Sequence, residues 1–157
     1  MTRATLFVSW CHDDADAKKA LLGQLYLGTL DGVEIERWED SDLLVGADWR
    51  TEIRRRLDAC DYGLLLLSPG FLASAFIRDE ELPRLLGPEV DKVIPVMLKH
   101  VPLDGSRKLL GLETRQIFTG PGGRAFTASR GPARERFALE LATAIRARVL
   151  HDAAAAR

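Results

Sequence analysis

A run of six apolar residues, closed by turn-forming residues, reads Tyr62-Gly63-Leu64-Leu65-Leu66-Leu67. It follows Asp61 and precedes Ser68-Pro69-Gly70, so its length suits a β-strand and falls far short of a membrane span. Because the run is continuous rather than alternating, we expect both faces of this strand to be covered. Such strands are typical of the centre of a parallel sheet with helices on both faces.

Four other strand-like segments lie on either side of this run. Residues 5–10 are mostly apolar, and residues 33–38 alternate apolar with charged residues, as a half-exposed edge strand does. Residues 93–98 form a fourth strand in which Pro95 removes one ladder hydrogen bond and favours a place near the edge. Residues 115–118 predict a brief fifth strand.

Helical segments separate these strands. Residues 15–27 and 133–150 show helical spacing of apolar residues, and residues 71–86 are mixed. Alternating strands and helices predict a single-domain α/β fold: a flavodoxin-like, doubly wound sheet of about five parallel strands. The domain is expected over residues 1–150, with residues 151–157 as a frayed tail or the start of a linker to a further domain.

The second helix should begin after Asp48, whose side chain suits a helix N-cap. Trp49, Ile53 and Leu57 recur every four residues and predict a buried stripe, so we expect Trp49 to lie in the core. The arginines at positions 54–56 lie mostly off that stripe and are expected to face solvent.

Composition narrows the classes of function. The chain of 157 residues has 22 basic and 23 acidic residues and a net charge of -1, which does not favour a nucleic-acid or membrane-binding protein. Two cysteines allow neither a disulfide framework nor a four-thiol zinc site, and the three histidines lack metal-ligand spacing. No resident metal or cofactor is expected, and the reducing cytoplasm is the expected compartment.

Phosphate-binding motifs are missing from the sequence. No Gly-x-Gly-x-x-Gly follows a strand, which disfavours a hydride-transferring dinucleotide enzyme, and there is no Gly-x4-Gly-Lys-Ser/Thr of a P-loop protein. A receiver-like phosphoacceptor domain would need an aspartate at the end of the third strand, where this chain has Ser68.

Three segments carry a family resemblance when they are taken in order. They are Phe7-Val8-Ser9-Trp10-Cys11-His12-Asp13-Asp14, the acidic loop Trp38 to Trp49 with its Asp-Ser-Asp at residues 40–42 and its Gly46, and residues 68–82. The last combines Ser68, an aromatic residue, small residues, a second aromatic residue and then glutamate. Together they resemble bacterial Toll/interleukin-1-receptor (TIR) domains, over roughly residues 5 to 100.

The resemblance implies one of two functions. Some TIR domains are adaptor modules that assemble with one another, and others cleave the nicotinamide–ribose bond of NAD+. The cleaving members carry a glutamate at the position that Glu80 takes here. Because the nicotinamide leaves as a neutral molecule, the main difficulty is the positive charge that develops on the ribose, which one carboxylate can stabilise.

Two adjacent glutamates compete for this position. In an α-helix Phe76 and Glu80 would project on the same side, one turn apart, which favours Glu80 as the catalytic residue. Glu81 is the alternative, because the family glutamate is usually followed by leucine and here Leu82 follows Glu81. Phe76 replaces the tryptophan that is common in the family and keeps a ring for stacking.

The resemblance and the strand ends suggest further site residues. Ser9 and Trp10 lie where the first strand leaves the sheet, which is the usual ligand crevice of such folds. The loop after Trp38 would gate the pocket or complete it from a second protomer. The expected substrate-binding residues are Ser9, Trp10, Asp40, Leu43, Leu44 and Phe76, and the expected self-assembly residues are Asp42, Val45 and Gly46.

The leading hypothesis is therefore an NAD+-cleaving TIR domain that acts after self-assembly in bacterial antiviral defence, with a sensor domain fused to it in the full-length protein. NAD+ is the expected substrate, and TIR–TIR contacts are the expected protein interaction. The alternative is a non-enzymatic adaptor module that uses the same contacts.

Overall fold

The apolar run at residues 62–67 forms an inner strand of a parallel sheet, as its continuous pattern predicts. In a computed structural model, which describes residues 1–39 and 45–157, the sheet has the order β2-β1-β3-β4. Its strands are β1 (Thr2–Ser9), β2 (Val33–Trp38), β3 (Tyr62–Leu67) and β4 (Val93–Met97). All three pairings are parallel, so the predicted flavodoxin-like α/β fold is confirmed.

Helices cover both faces of the sheet. They are α1 (Ala15–Gly23), α2 (Trp49–Ala59), α3 (Pro69–Ala73), α4 (Leu82–Leu85) and α5 (Pro132–Ala155), with a π-helical turn at Ile77–Glu81 and short 3-10 turns at His12–Asp14, Leu27–Thr29, Pro121–Gly123 and Phe126–Ala128. α1 and α5 contribute to the core on one face, and α2, α3 and α4 to the core on the other. None of the described helices is long and apolar enough to cross a bilayer.

The predicted fifth strand is wrong, because residues 115–118 make a single bridge rather than a ladder. Phe118 pairs with Val96, accepting from Met97 N–H at 2.9 Å and donating to the Pro95 carbonyl at 2.9 Å. The next rung toward residue 116 would need an N–H on Pro95, and proline has none. The residue that marks β4 as an edge strand therefore also ends its pairing after one bridge.

Two helix ends differ from those expected. α1 ends at Gly23 rather than near residue 27, and a 3-10 turn at Leu27–Thr29 leads to β2. α5 continues past residue 150 to Ala155, where Asp152 accepts hydrogen bonds from Tyr62 Oη at 2.6 Å and from Arg148 Nε at 2.9 Å. Asp152 thus holds the end of α5 against the start of β3.

A buried polar cluster ties together the segments that follow three strands. Asp14, which is 3% exposed and follows β1, accepts a short hydrogen bond from the hydroxyl of Ser68, the residue after β3. Lys99, which follows β4, lies 2.7 Å from the other carboxylate oxygen of Asp14. Ser68 also caps α3 by accepting from Phe71 N–H at 2.9 Å. One carboxylate therefore fixes the carboxyl ends of three neighbouring strands.

Replacing Lys99 with methionine should destabilise the fold at neutral pH. The hydrogen bond to Asp14 raises the pKa of Lys99 above its ordinary value, and removing the cation leaves a buried carboxylate without its charged partner. Because the Lys99 side chain is 39% exposed and solvent screens the pair, we expect Lys99→Met to lower the free energy of unfolding by only about 1 kcal/mol at pH 7, measured by urea denaturation.

The pH dependence has a defined sign. A raised lysine pKa contributes stability that is present below the unfolded-state pKa, about 10.4, and is lost as pH rises through the higher folded-state pKa. The difference between wild type and Lys99→Met should therefore shrink above that pH. The exposed Lys19→Met is the matched control, and an equal loss in both variants would contradict the role of the Asp14 contact.

Candidate functional site

A cavity of about 810 Å³ opens at the carboxyl ends of β1 and β3. The chain leaves β1 toward β2 on one side and returns to β3 on the other, so these two strands flank the point where the winding direction reverses. Ligands of doubly wound folds bind at such a point. The cavity is within the size range of small-molecule sites. Its lining residues are Trp10, Cys11, His12, Asp13, Trp49, Ile53, Gly70, Ala73, Ser74, Phe76, Ile77 and Glu81.

Aromatic rings form much of the cavity wall. Trp10 and Phe76, both expected from the sequence, line it, and Trp49 joins them from the first position of α2. The rings of Trp49 and Phe76 lie 5.7 Å apart and are tilted by 45°. The expectation that Trp49 lies in the core is wrong, since this residue is 49% exposed while Ile53 and Leu57 on its stripe are buried. Because Trp49 is the first residue of α2, it lies beyond the edge of the core that buries the rest of this apolar stripe.

Lys18 and His12 flank the ring of Trp10. The ammonium nitrogen of Lys18 lies 4.1 Å from the centroid of the Trp10 ring, and the His12 ring is 4.9 Å away. A cation over an indole face is an attractive contact that restrains the ring. Trp10 is therefore held in place at the cavity without any ligand.

The π-helical turn decides which glutamate faces the cavity. Leu82 N–H donates to the carbonyl of Ile77, five residues earlier, so this turn contains one more residue than an α-helical turn. The residue five positions after Phe76 then takes the side on which an α-helix would place the fourth. Glu81 lines the cavity and is 6% exposed. The α-helical spacing that favours Glu80 does not hold here.

Ser9 lies behind Glu81 rather than on the cavity surface. Its side chain is 1% exposed, and its hydroxyl donates to Glu81 Oε1 at 3.0 Å. Ser9 pairs with Leu65 at the end of β1, so its position is fixed by the sheet. The sequence predicts Ser9 as a substrate-binding residue at this crevice, and the structure directs its hydroxyl to the Glu81 carboxylate.

Glu80 points to α2 and not into the cavity. Its carboxylate accepts three hydrogen bonds from Arg54, at 3.0, 3.1 and 3.2 Å. Arg54 is therefore not simply one of three solvated arginines, as its position off the apolar stripe suggests. Arg55 pairs with Glu52 on the same helix, and Arg56 donates to the Glu39 carbonyl at 3.2 Å.

The segment after β1 and the start of α3 pack closely at the base of the cavity. A Cβ added to Gly70 would lie 2.9 Å from the sulfur of Cys11, so a larger residue at position 70 would displace that thiol. Cys11 is partly exposed and is a free thiol rather than part of a disulfide. His12 and Asp13 follow it on the cavity wall.

The predicted loop residues divide between described and undescribed parts of the chain. Asp40, Asp42, Leu43 and Leu44 lie outside the described residues. Val45 is fully exposed, and Gly46 has a φ of 88°, a left-handed conformation that favours glycine. Both precede Asp48, whose carboxylate caps α2 as predicted by accepting from Arg50 and Thr51 N–H.

Several lining residues were not expected from the sequence. Trp49 and Ile53 were assigned to a buried stripe, and Cys11, His12 and Asp13 were not assigned to the site. Their position directly after β1 was the available signal, because that is where ligand crevices of doubly wound folds lie. Among the described residues, no group of three histidine, cysteine or acidic side chains could hold a metal ion.

Comparison with known proteins agrees with this geometry. Residues 6–127 match the family model described as TIR domain. That range begins in β1 and ends beyond the β4 edge, so it includes every cavity-lining residue. No curated protein matches the chain.

The Ser9–Glu81 hydrogen bond should appear as an energetic coupling between these two residues. Hydrogen bonds to charged groups contribute about 1.5 kcal/mol or more. We therefore expect Ser9→Ala and Glu81→Ala together to cost about 1.5 kcal/mol less than the sum of the single variants, measured by chemical denaturation. The control cycle pairs Ser9→Ala with Glu89→Ala, which changes an exposed glutamate away from the cavity, and should give additive losses. Additivity in both cycles would contradict the contact.

Proposed function

This chain belongs to the TIR domain family, and we propose that it is an NAD+ nucleosidase. Its proposed active site is the cavity at the carboxyl ends of β1 and β3. The observation that carries the proposal is a buried carboxylate, Glu81, on the wall of a cavity that is also lined by three aromatic rings. Aromatic faces suit the flat rings of a dinucleotide, and a carboxylate suits the cationic ribose that forms when nicotinamide leaves.

The reaction needs no metal and no covalent nucleophile. The bond between ribose C1′ and the pyridinium nitrogen breaks, its electron pair goes to nitrogen, and neutral nicotinamide departs. Water then adds to C1′ and loses a proton, giving ADP-ribose; attack by a nitrogen of the substrate's own adenine would give a cyclic isomer instead. The carboxylate lowers the barrier by lying close to the positive charge on the ribose.

Glu81 is the proposed catalytic residue, and Ser9 positions it. Burial and the hydrogen bond donated by Ser9 hold the Glu81 carboxylate in place on the cavity wall. A charge held in a site sheltered from water acts more strongly than one in solvent. Glu80, paired with Arg54, is excluded from this role in the proposal.

Trp10, Trp49 and Phe76 are the proposed stacking residues. Trp49 and Phe76 contact each other at the cavity, whereas Trp10 lines it with the residues that follow β1. We propose self-association as the activating step, with Val45 and Gly46, exposed residues that precede α2, among the contact residues. The proposed biological setting is bacterial antiviral defence, with a fused sensor that drives the assembly.

Nicotinamide release is the direct test of this proposal. We expect concentrated or bead-clustered wild-type protein to convert NAD+ to nicotinamide and ADP-ribose or its cyclic isomer, with products separated by chromatography. Glu81→Gln should lower the rate at least about a hundredfold, because it removes the charge that stabilises the transition state.

Two controls make this test specific. Glu80→Gln should retain more activity than Glu81→Gln, and Glu89→Gln, which changes an exposed glutamate away from the cavity, should match wild type. No release from wild type, with clustering confirmed by light scattering, would overturn the nucleosidase and support an adaptor module. Equal release from wild type and Glu81→Gln would place the chemistry elsewhere.

Trp49→Ala should weaken substrate binding more than it slows the chemical step. Loss of one aromatic–base stack costs roughly 1–3 kcal/mol, so we expect KM for NAD+ to rise about tenfold with kcat changed much less. Steady-state kinetics measure both. Leu139→Ala, which removes an exposed apolar side chain on α5, is the control. An unchanged KM in Trp49→Ala would show that this wall does not contact substrate.

A further inference from the structure

The ion pair between Arg54 and Glu80 joins two separate walls of the cavity. Arg54 lies on α2, which also carries Trp49 and Ile53, while Glu80 lies in the π-helical turn, which also carries Ile77 and Glu81. Two nitrogens of the Arg54 guanidinium, Nε and Nη2, donate hydrogen bonds to the Glu80 carboxylate. A contact through two donors fixes orientation as well as distance.

Because Glu80 and Glu81 are neighbours, the winding of the turn decides which of them faces the cavity. An α-helical turn would place the residue four positions after Phe76 on the cavity side, and the observed turn with one more residue places the residue five positions after it there. Single π turns are less favourable than α-helical ones and persist where other contacts support them. Arg54 supplies such a contact away from the cavity, through its hydrogen bonds to Glu80.

We propose that Arg54 and Glu80 are a positioning pair, which keeps the π-helical turn in the register that directs Glu81 into the cavity. This inference rests on the proposed function, because it gives the pair a purpose only if Glu81 acts on substrate. Neither side chain of the pair lines the cavity. Their effect on catalysis is therefore indirect, through the place and orientation of the Glu81 carboxylate.

The Arg54–Glu80 pair is expected to affect the position of the Glu81 carboxylate more than the stability of the fold. The side chains of Arg54 and Glu80 are 41% and 28% exposed, and ion pairs with this degree of solvent contact contribute little to folding. Misplacement of a catalytic group by about 1 Å, in contrast, can lower a rate up to about a hundredfold. A positioning role therefore predicts a loss of rate without a matching loss of stability.

The kinetic experiment uses Arg54→Ala, Glu80→Gln and the charge-swapped double variant R54E/E80R. We expect kcat for NAD+ to fall about tenfold in each single variant, with KM changed less than threefold and the thermal midpoint nearly unchanged. The swapped pair should recover most of the lost kcat, because it restores the link between α2 and the turn.

A second ion pair on α2 provides the matched control. Arg84 of α4 contacts Asp58 of α2 at 2.7 Å, at the other end of the helix from Trp49. Arg84→Ala breaks a similar tie between α2 and the segment after the turn without touching Glu80. Its kcat should equal that of wild type. An equal loss in Arg84→Ala and Arg54→Ala would overturn the proposal, as would failure of the swapped variant to recover.

A measurement that does not depend on turnover separates this inference from the proposed function. In protein labelled with ¹³C at glutamate carboxyls, the Glu81 resonance is the one that Glu81→Gln removes. We expect it to shift in Arg54→Ala and Glu80→Gln and to return toward the wild-type position in the swapped variant. A Glu81 resonance that does not move in Arg54→Ala would overturn the positioning role. If wild type releases no nicotinamide, the proposed function fails, and this measurement alone decides whether the pair sets the register.

Discussion

One extra residue in the helical turn from Ile77 to Glu81 determines which side chains face the cavity. The hydrogen bond from Leu82 N–H to the Ile77 carbonyl defines this turn, and it rotates Glu81 inward and Glu80 outward. Each carboxylate then has a polar partner: Ser9 at the end of β1 for Glu81, and Arg54 on α2 for Glu80. Both partners are fixed by regular secondary structure, so the turn is held from the sheet side and from the helix side at once.

The sheet supplies the rigid base on which this turn acts. Asp14, Ser68 and Lys99 connect the segments that follow β1, β3 and β4 through one buried carboxylate. Ser68 also begins α3, which leads within a few residues to Phe76 and the π-helical turn. The same cluster that joins the strand ends thus sets where the cavity wall begins. The aromatic rings and Glu81 project from segments whose starting points are anchored in the core.

Much of this architecture follows from local sequence patterns. The continuous apolar run at 62–67, the alternation at 33–38 and the cap at Asp48 each depend on near neighbours, and the strands and helix they predict are observed. The fifth strand failed because ladder formation depends on an N–H that Pro95 lacks, a constraint from the neighbouring strand. Trp49 was misplaced because periodicity gives the face of a helix but not where the core ends along it.

The choice between Glu80 and Glu81 also depends on contacts that local sequence patterns do not reveal. The glutamate pair, the aromatic residue at 76 and the crevice after β1 could all be recognised from the sequence and its family resemblance. Their relative orientation could not, since an α-helical period was assumed where the chain forms a wider turn. The contacts that support that turn come from Ser9 and Arg54, which lie 72 and 26 residues away in sequence from their glutamate partners. Only the folded structure brings them together.

We propose that Glu81, directed inward by the π-helical turn, is the carboxylate that faces the substrate ribose. The most direct measurement is a crystal structure of Glu81→Gln, which keeps the size of the side chain but is expected to turn over slowly, with NAD+ bound. We expect the ribose to lie within hydrogen-bond distance of the residue 81 side chain and a ring of the ligand to lie against Trp49 or Phe76. A ribose bound by Glu80 instead, with Arg54 released from Glu80, would contradict this role of Glu81.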